Sequence, residues 1–89
     1  MSKDWLRVAG DMVERAAGEA DGEPAERLRN LGEQLHSLAD RERGPDHGRI
    51  ARIENILDEV EAEVGDAASE HIQQAREEVV RYRGTVEGV

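Results

Sequence analysis

Glu63-Val64-Gly65-Asp66-Ala67-Ala68 decides whether the second half of this 89-residue chain is one long helix or two. Before it, Ile50, Ile53, Leu57, Val60 and Val64 step by 3, 4, 3 and 4, an apolar seam on one helical face that Ile56 widens. Continuing that heptad would bring Ala67, His71 and Gln74 inside. The apolar residues that follow are instead Ala68, Ile72, Ala75, Val79, Tyr82 and Val86, at steps of 4, 3, 4, 3 and 4. The register therefore slips at Gly65-Asp66. A turn, with Gly65 as helix stop and Asp66 as N-cap, accounts for the slip, and a coiled-coil stutter would leave the same pattern. The turn is the expected reading, with helix 3 opening after a cap at Asp46 and helix 4 running from about Asp66 to Val86.

The first half has the same plan. From Lys3 to Ala20, Trp5, Val8, Ala9, Met12, Val13, Ala16 and Ala20 recur at helical spacing, with Ser2 or Asp4 available to cap the start. Asp21-Gly22 then stops helix 1, Gly22 supplying a left-handed residue, and Pro24 suits the first turn of helix 2. Helix 2, Pro24 to about Arg41, carries Leu28, Leu31, Leu35 and Leu38, the cleanest seam in the chain. Four helices on short connections predict an all-α, up-down-up-down four-helix bundle of two helical hairpins, one domain over residues 1–89. The alternative is a long helix 3-4 in a dimeric coiled-coil assembly.

That topology sorts the charges. The central turn, Arg41-Glu42-Arg43-Gly44-Pro45-Asp46-His47-Gly48-Arg49, falls at the same end of the bundle as both termini. Residues 1–10, 37–52 and 79–89 hold eight bases and five acids, net +3; the remainder holds four bases and sixteen acids, net −12. Trp5, Tyr82 and His47 share the basic end. Arg41, Arg43, His47, Arg49, Arg52, Arg81, Arg83, Trp5 and Tyr82 are thus the candidate contacts for an anion or a partner's carboxylates, with the N-terminus of helix 3 beside them. The local explanation competes: Arg41 and Arg43 complement the dipole closing helix 2, Asp46 complements the one opening helix 3, and the two aromatics lie on seams.

Composition narrows the functional classes. Lys+Arg 12 against Asp+Glu 21 gives −9, which argues against general binding to nucleic acid or to an anionic membrane surface. Eleven of the basic residues are arginine and Lys3 is the sole lysine; such an acidic, lysine-poor surface points to adaptation to high salt, where counterions screen the repulsion. With no cysteine, disulfides, thiolate metal sites and cysteine nucleophiles are excluded. No apolar run of about 18 residues and no apolar stretch after Met1-Ser2-Lys3-Asp4 is present, so a soluble cytoplasmic protein is expected.

Chemical motifs are sparse. Glu33-Gln34-Leu35-His36 matches the Glu-x-x-His element of di-iron bundles, but Glu33 lies opposite the leucine seam, His36 to one side, and no second copy exists. No metal, no cofactor and no catalytic residue is therefore assigned. His71 reads as a surface residue at the edge of its seam, and Glu77 with Arg81 as an ordinary i,i+4 pair. Val80 lies about 120° from the centre of helix 4's seam, where an extra apolar residue either widens the core contact or forms a subunit interface.

Arg43-Gly44-Pro45-Asp46-His47-Gly48-Arg49 at the centre and Arg81-Tyr82-Arg83 near the end of a short, acidic, nearly lysine-free helical chain resemble a family of small acidic helical haloarchaeal proteins of unknown function. The resemblance spans the chain and implies a halophilic, cytoplasmic setting; it lends no residue a role. The expectation is a non-enzymatic helical bundle acting through protein-protein contact, as a homo-oligomer, with a dimer the commonest form. The alternative is a binder of anions, nucleotides or nucleic acid through the basic end.

Overall fold

The computed structural model describes residues 3–86; Ser2, offered above as a cap, and Glu87, counted in the basic end, lie outside them. Four helices follow in order, α1 Lys3–Gly18, α2 Gly22–Asp40, α3 His47–Glu61 and α4 Asp66–Arg83, with no strand among the described residues. Cross-helix pairs fix their directions. Arg7, early in α1, pairs with Asp40 at the end of α2 (2.8 Å), and Arg27, early in α2, pairs with Glu59 late in α3 (2.8 Å). Ser69, early in α4, donates to Glu61 at the end of α3 (2.7 Å). Neighbours in sequence are antiparallel, and the chain is an up-down-up-down bundle.

The Gly65 joint is a turn, so the long helix 3-4 is corrected to two helices. Glu63 N–H bonds to the Val60 carbonyl (2.9 Å) and Val64 N–H to that of Glu61 (3.5 Å), tightening the end of α3 into a tighter winding. Gly65 is extended (φ −82°, ψ −178°) and is itself the N-cap of α4, its carbonyl taking Ser69 N–H at 2.9 Å. Asp66 is therefore not the cap but the first helical residue, where a negative charge complements the dipole. Gly22 takes the expected left-handed conformation (φ 65°), but as the first residue of α2, two residues before Pro24, and not as the stop of helix 1, which ends at Gly18. The helices end earlier than the seams alone imply, α1 at Gly18, α3 at Glu61 and α4 at Arg83, because their last turns tighten and fray into the loops.

The core is apolar throughout, with no buried charged or polar residue among the described ones. The leucines of α2, Ile50, Ile53, Leu57 and Val60 of α3, and Ala68, Ile72, Ala75, Val79 and Tyr82 of α4 are buried as their spacing predicts. Helix α1 is rotated from expectation: Leu6 and Ala17 are buried, while Val8 is 38% exposed and Trp5 and Met12 only pack against the edge. The reason is that α1 serves two neighbours. Its closest approaches are to α2 and α4, and the buried arc centred on Val13 must face both.

Small residues permit that closeness. Gly10 and Gly32 face each other across α1 and α2: a Cβ at Gly32 would sit 3.4 Å from the Gly10 carbonyl and 3.0 Å from Glu14 Cγ. A Cβ at Gly10 would come within 2.6 Å of the His36 ring. Helices α2 and α3, by contrast, touch least of the four neighbouring pairs. One flank of the bundle is left open.

Candidate functional site

The open flank begins at the central turn. Asp46 caps α3, its carboxylate accepting from Arg49 N–H at 2.9 Å, while the Asp46 carbonyl takes Ile50 N–H at 3.0 Å. The α3 N-terminus, considered above as an anion position, is thus filled by the chain's own carboxylate. Buried Pro45 offers its carbonyl to the Tyr82 hydroxyl (3.4 Å), and Gly44 lies against the same ring, where any Cβ would strike the hydroxyl. Burial pushes the Tyr82 hydroxyl's pKa up. Tyr82 pins the turn to α4.

From that turn a groove runs along α2 and α3 as three adjoining depressions open to solvent, of about 490, 400 and 330 Å³. Arg41 and Arg49 line the first two, Gln34 and Arg49 the last two, and Arg49 all three. Leu38, Ile53 and Ile56 supply apolar floor, Arg43 stands at the turn and Arg52 beside Ile56. Four arginines thus face Glu33 and Asp46 along the groove.

Partners set Arg43, Arg49 and Arg52 apart. Elsewhere Arg7, Arg27, Arg76, Arg81 and Arg83 each hold a carboxylate at 2.6 to 3.1 Å. Arg49 reaches only the neutral Gln34 Oε1, at 3.4 Å, and neither Arg43 nor Arg52 makes an ion pair among the described residues. Arg15 and Arg29 likewise have none, but each stands apart from other cations among glutamates: Arg15 with Glu77 and Glu78, Arg29 with Glu14 and Glu33.

The nine candidate contacts therefore divide. Arg41, Arg43, Arg49 and Arg52 are brought together, and His47 stands half-buried as the first residue of α3. Arg83 is held by both oxygens of Glu54 (2.9 and 3.1 Å), and Arg81 by Glu78 (3.0 Å) rather than by Glu77 as its i,i+4 spacing suggested. Tyr82 is 6% exposed and Trp5 packs on the core edge, so neither lines the groove.

A protein-family model described as a family of unknown function, DUF7553, matches residues 1–85. The chain belongs to that family. No curated protein and no solved structure matches it. Two features of this DUF7553 chain escaped the reading of its sequence. His36 is held over Gly10, Nε2 2.9 Å from Asp11 Oδ1 and Nδ1 3.5 Å from Glu14 Oε2, so it braces α1 against α2 instead of lying on a solvated face. Gly10 and Gly32, glycines placed inside helical patterns, were the available signal. His71 is half-buried and its Nδ1 is covered with no hydrogen-bond partner, which corrects its description as a satisfied surface residue.

On the α3–α4 flank Glu61 accepts from Ser69 (2.7 Å), Arg76 (2.6 Å) and Gln73 (3.2 Å), and the bonds from Ser69 and Arg76 hold its carboxyl below the ordinary glutamate value. Among the described residues no group of three or more His, Asp or Glu could hold a metal ion, and no helix is long and apolar enough to cross a membrane.

Proposed function

We propose that this DUF7553 protein is a non-enzymatic helical bundle that acts by protein-protein contact in a halophilic cytoplasm. The observation that carries the reading is the open α2–α3 flank, where Arg43, Arg49 and Arg52 make no ion pair among the described residues, whereas Arg7, Arg27, Arg76, Arg81 and Arg83 each hold a carboxylate. In a chain of net charge −9, leaving Arg49 and Arg52 without an ion-paired acid among the described residues forgoes favourable pairing, and a partner's carboxylates would restore it. The same geometry disfavours nucleic acid. Four arginines are few against a repulsive net charge, and neither aromatic residue stands in the groove to stack on a base.

Contact includes a second copy of the chain. Val8 and Val80 are exposed large apolar residues, 38% and 41% exposed, and a two-fold partner would cover them. Sedimentation equilibrium in molar KCl tests this. Mass above that of the 9.9 kDa chain that rises with concentration agrees with the reading, and a constant monomer mass contradicts self-association.

A further inference from the structure

Resting on the contact reading, we propose that the α2–α3 groove docks an acidic amphipathic helix of a partner protein. Recognition modes can be separated by what the groove offers. Adding a strand requires a sheet edge, and the described residues contain no strand. Holding a polyproline segment requires aromatic walls, and none lines this groove. A compact anion requires donors converging on a vacant point, yet the α3 N-terminus is already capped by Asp46, whose carboxylate stands with Arg41, Arg43 and Arg49 in the depression at the turn, and Arg52 lies one turn further along α3.

A helix matches the remaining features. From Asn30 to Arg41 the groove follows α2 for about 16 Å, roughly three helical turns at 1.5 Å per residue. Arg49 and Arg52 are spaced by one turn on α3, the repeat at which glutamates recur along one face of a facing helix. Half-buried Ile56 gives one apolar anchor of the partner a contact between the charged residues, with Leu38 and Ile53 buried beneath it. The guanidiniums of Arg49 and Arg52 bind the carboxylates, and the amide of Gln34 yields its weak 3.4 Å contact with Arg49 as the partner enters.

The test is a titration of the full ¹⁵N-labelled chain, followed by amide chemical shifts, with a designed helical peptide bearing leucines on one face and glutamates beside them. Its controls are the same peptide with glutamine for each glutamate, inorganic phosphate, and a short single-stranded oligonucleotide. The expected result is a set of shifts confined to Gln34, Leu38, Arg49, Arg52 and Ile56, weakened at least about tenfold by glutamine in the peptide and again by R49E/R52E. R49Q/R52Q is the milder second variant, and circular dichroism shows that each variant folds.

Shifts at Val8 and Met12 instead, undiminished binding by both variants, equal binding of the glutamine peptide, or no shift with the peptide would overturn the proposal. Tighter binding of phosphate or oligonucleotide in the groove would overturn it in favour of that ligand class. The contact reading is tested separately by mass: if assemblies form while the peptide leaves the groove amides unshifted, the groove assignment fails and the contact reading stands.

Discussion

The Tyr82 hydroxyl donates to the Pro45 carbonyl at 3.4 Å, joining the last turn of α4 to the loop between α2 and α3 across 37 residues of sequence. This contact holds the mouth of the groove. Tyr82→Phe removes one long hydrogen bond and should lower stability by about 0.5–1.5 kcal/mol. Gly44→Ala forces a methyl group into the phenol and should lower it further, by about 1–3 kcal/mol. Urea unfolding of both variants checks the order; a Gly44→Ala chain as stable as the parent would contradict the packing.

Gly10 and His36 make a second closely fitted pair. Gly10→Ala should destabilise by about 1–3 kcal/mol, because the new methyl displaces the ring that bridges to Asp11 and Glu14. His36→Ala empties that space. In a double-mutant cycle the two changes should be non-additive, the double variant recovering most of the loss due to the methyl group. Simple additivity would mean that the close approach is relieved elsewhere.

Gly22 and Gly65 separate two roles that a glycine at a helix boundary can have. Gly22, at φ 65°, should lose about 1 kcal/mol as alanine, whereas Gly65, at φ −82° with open space where a Cβ would go, should tolerate alanine with little change. Thermal unfolding of the two variants distinguishes them.

These glycines also show what the chain's pattern makes legible. Seam periodicity reveals α2 to α4 and the slip at Gly65, because those helices each bury one narrow stripe. It misplaces the inner face of α1, because a helix wedged between two others buries a wide arc and can leave Val8 out while taking Leu6 in. The basic end follows from topology alone. Its division does not: whether Arg49 meets Gln34 and Arg83 meets Glu54 depends on which side of each helix faces which neighbour, and no single seam records that.

Glu61 supplies a pH prediction. Its carboxyl is held below the ordinary value in the folded chain, so the bonds from Ser69 and Arg76 contribute stability that is fully present above the unfolded-state value. That contribution is lost as pH falls through the folded value. Ser69→Ala should raise the folded value, lower stability near neutral pH and make the loss on acidification smaller. Urea midpoints followed downward from neutral pH test it, and an unchanged acid limb would contradict the assignment.

Repulsion among the sixteen acids outside the basic end should be relieved by salt. Helicity by circular dichroism is expected to rise with KCl. Full helicity in dilute buffer would remove the halophilic reading while leaving the bundle intact.

The open α2–α3 flank is tested most directly by placing a photo-cross-linking amino acid at Ile56 in the cells that make the protein, with a second site at Val8 for comparison. The expected result is a covalent protein adduct at Ile56 that disappears in the R49E/R52E background. Absence of any adduct at Ile56, or an adduct indifferent to the loss of both arginines, would contradict a contact surface between α2 and α3.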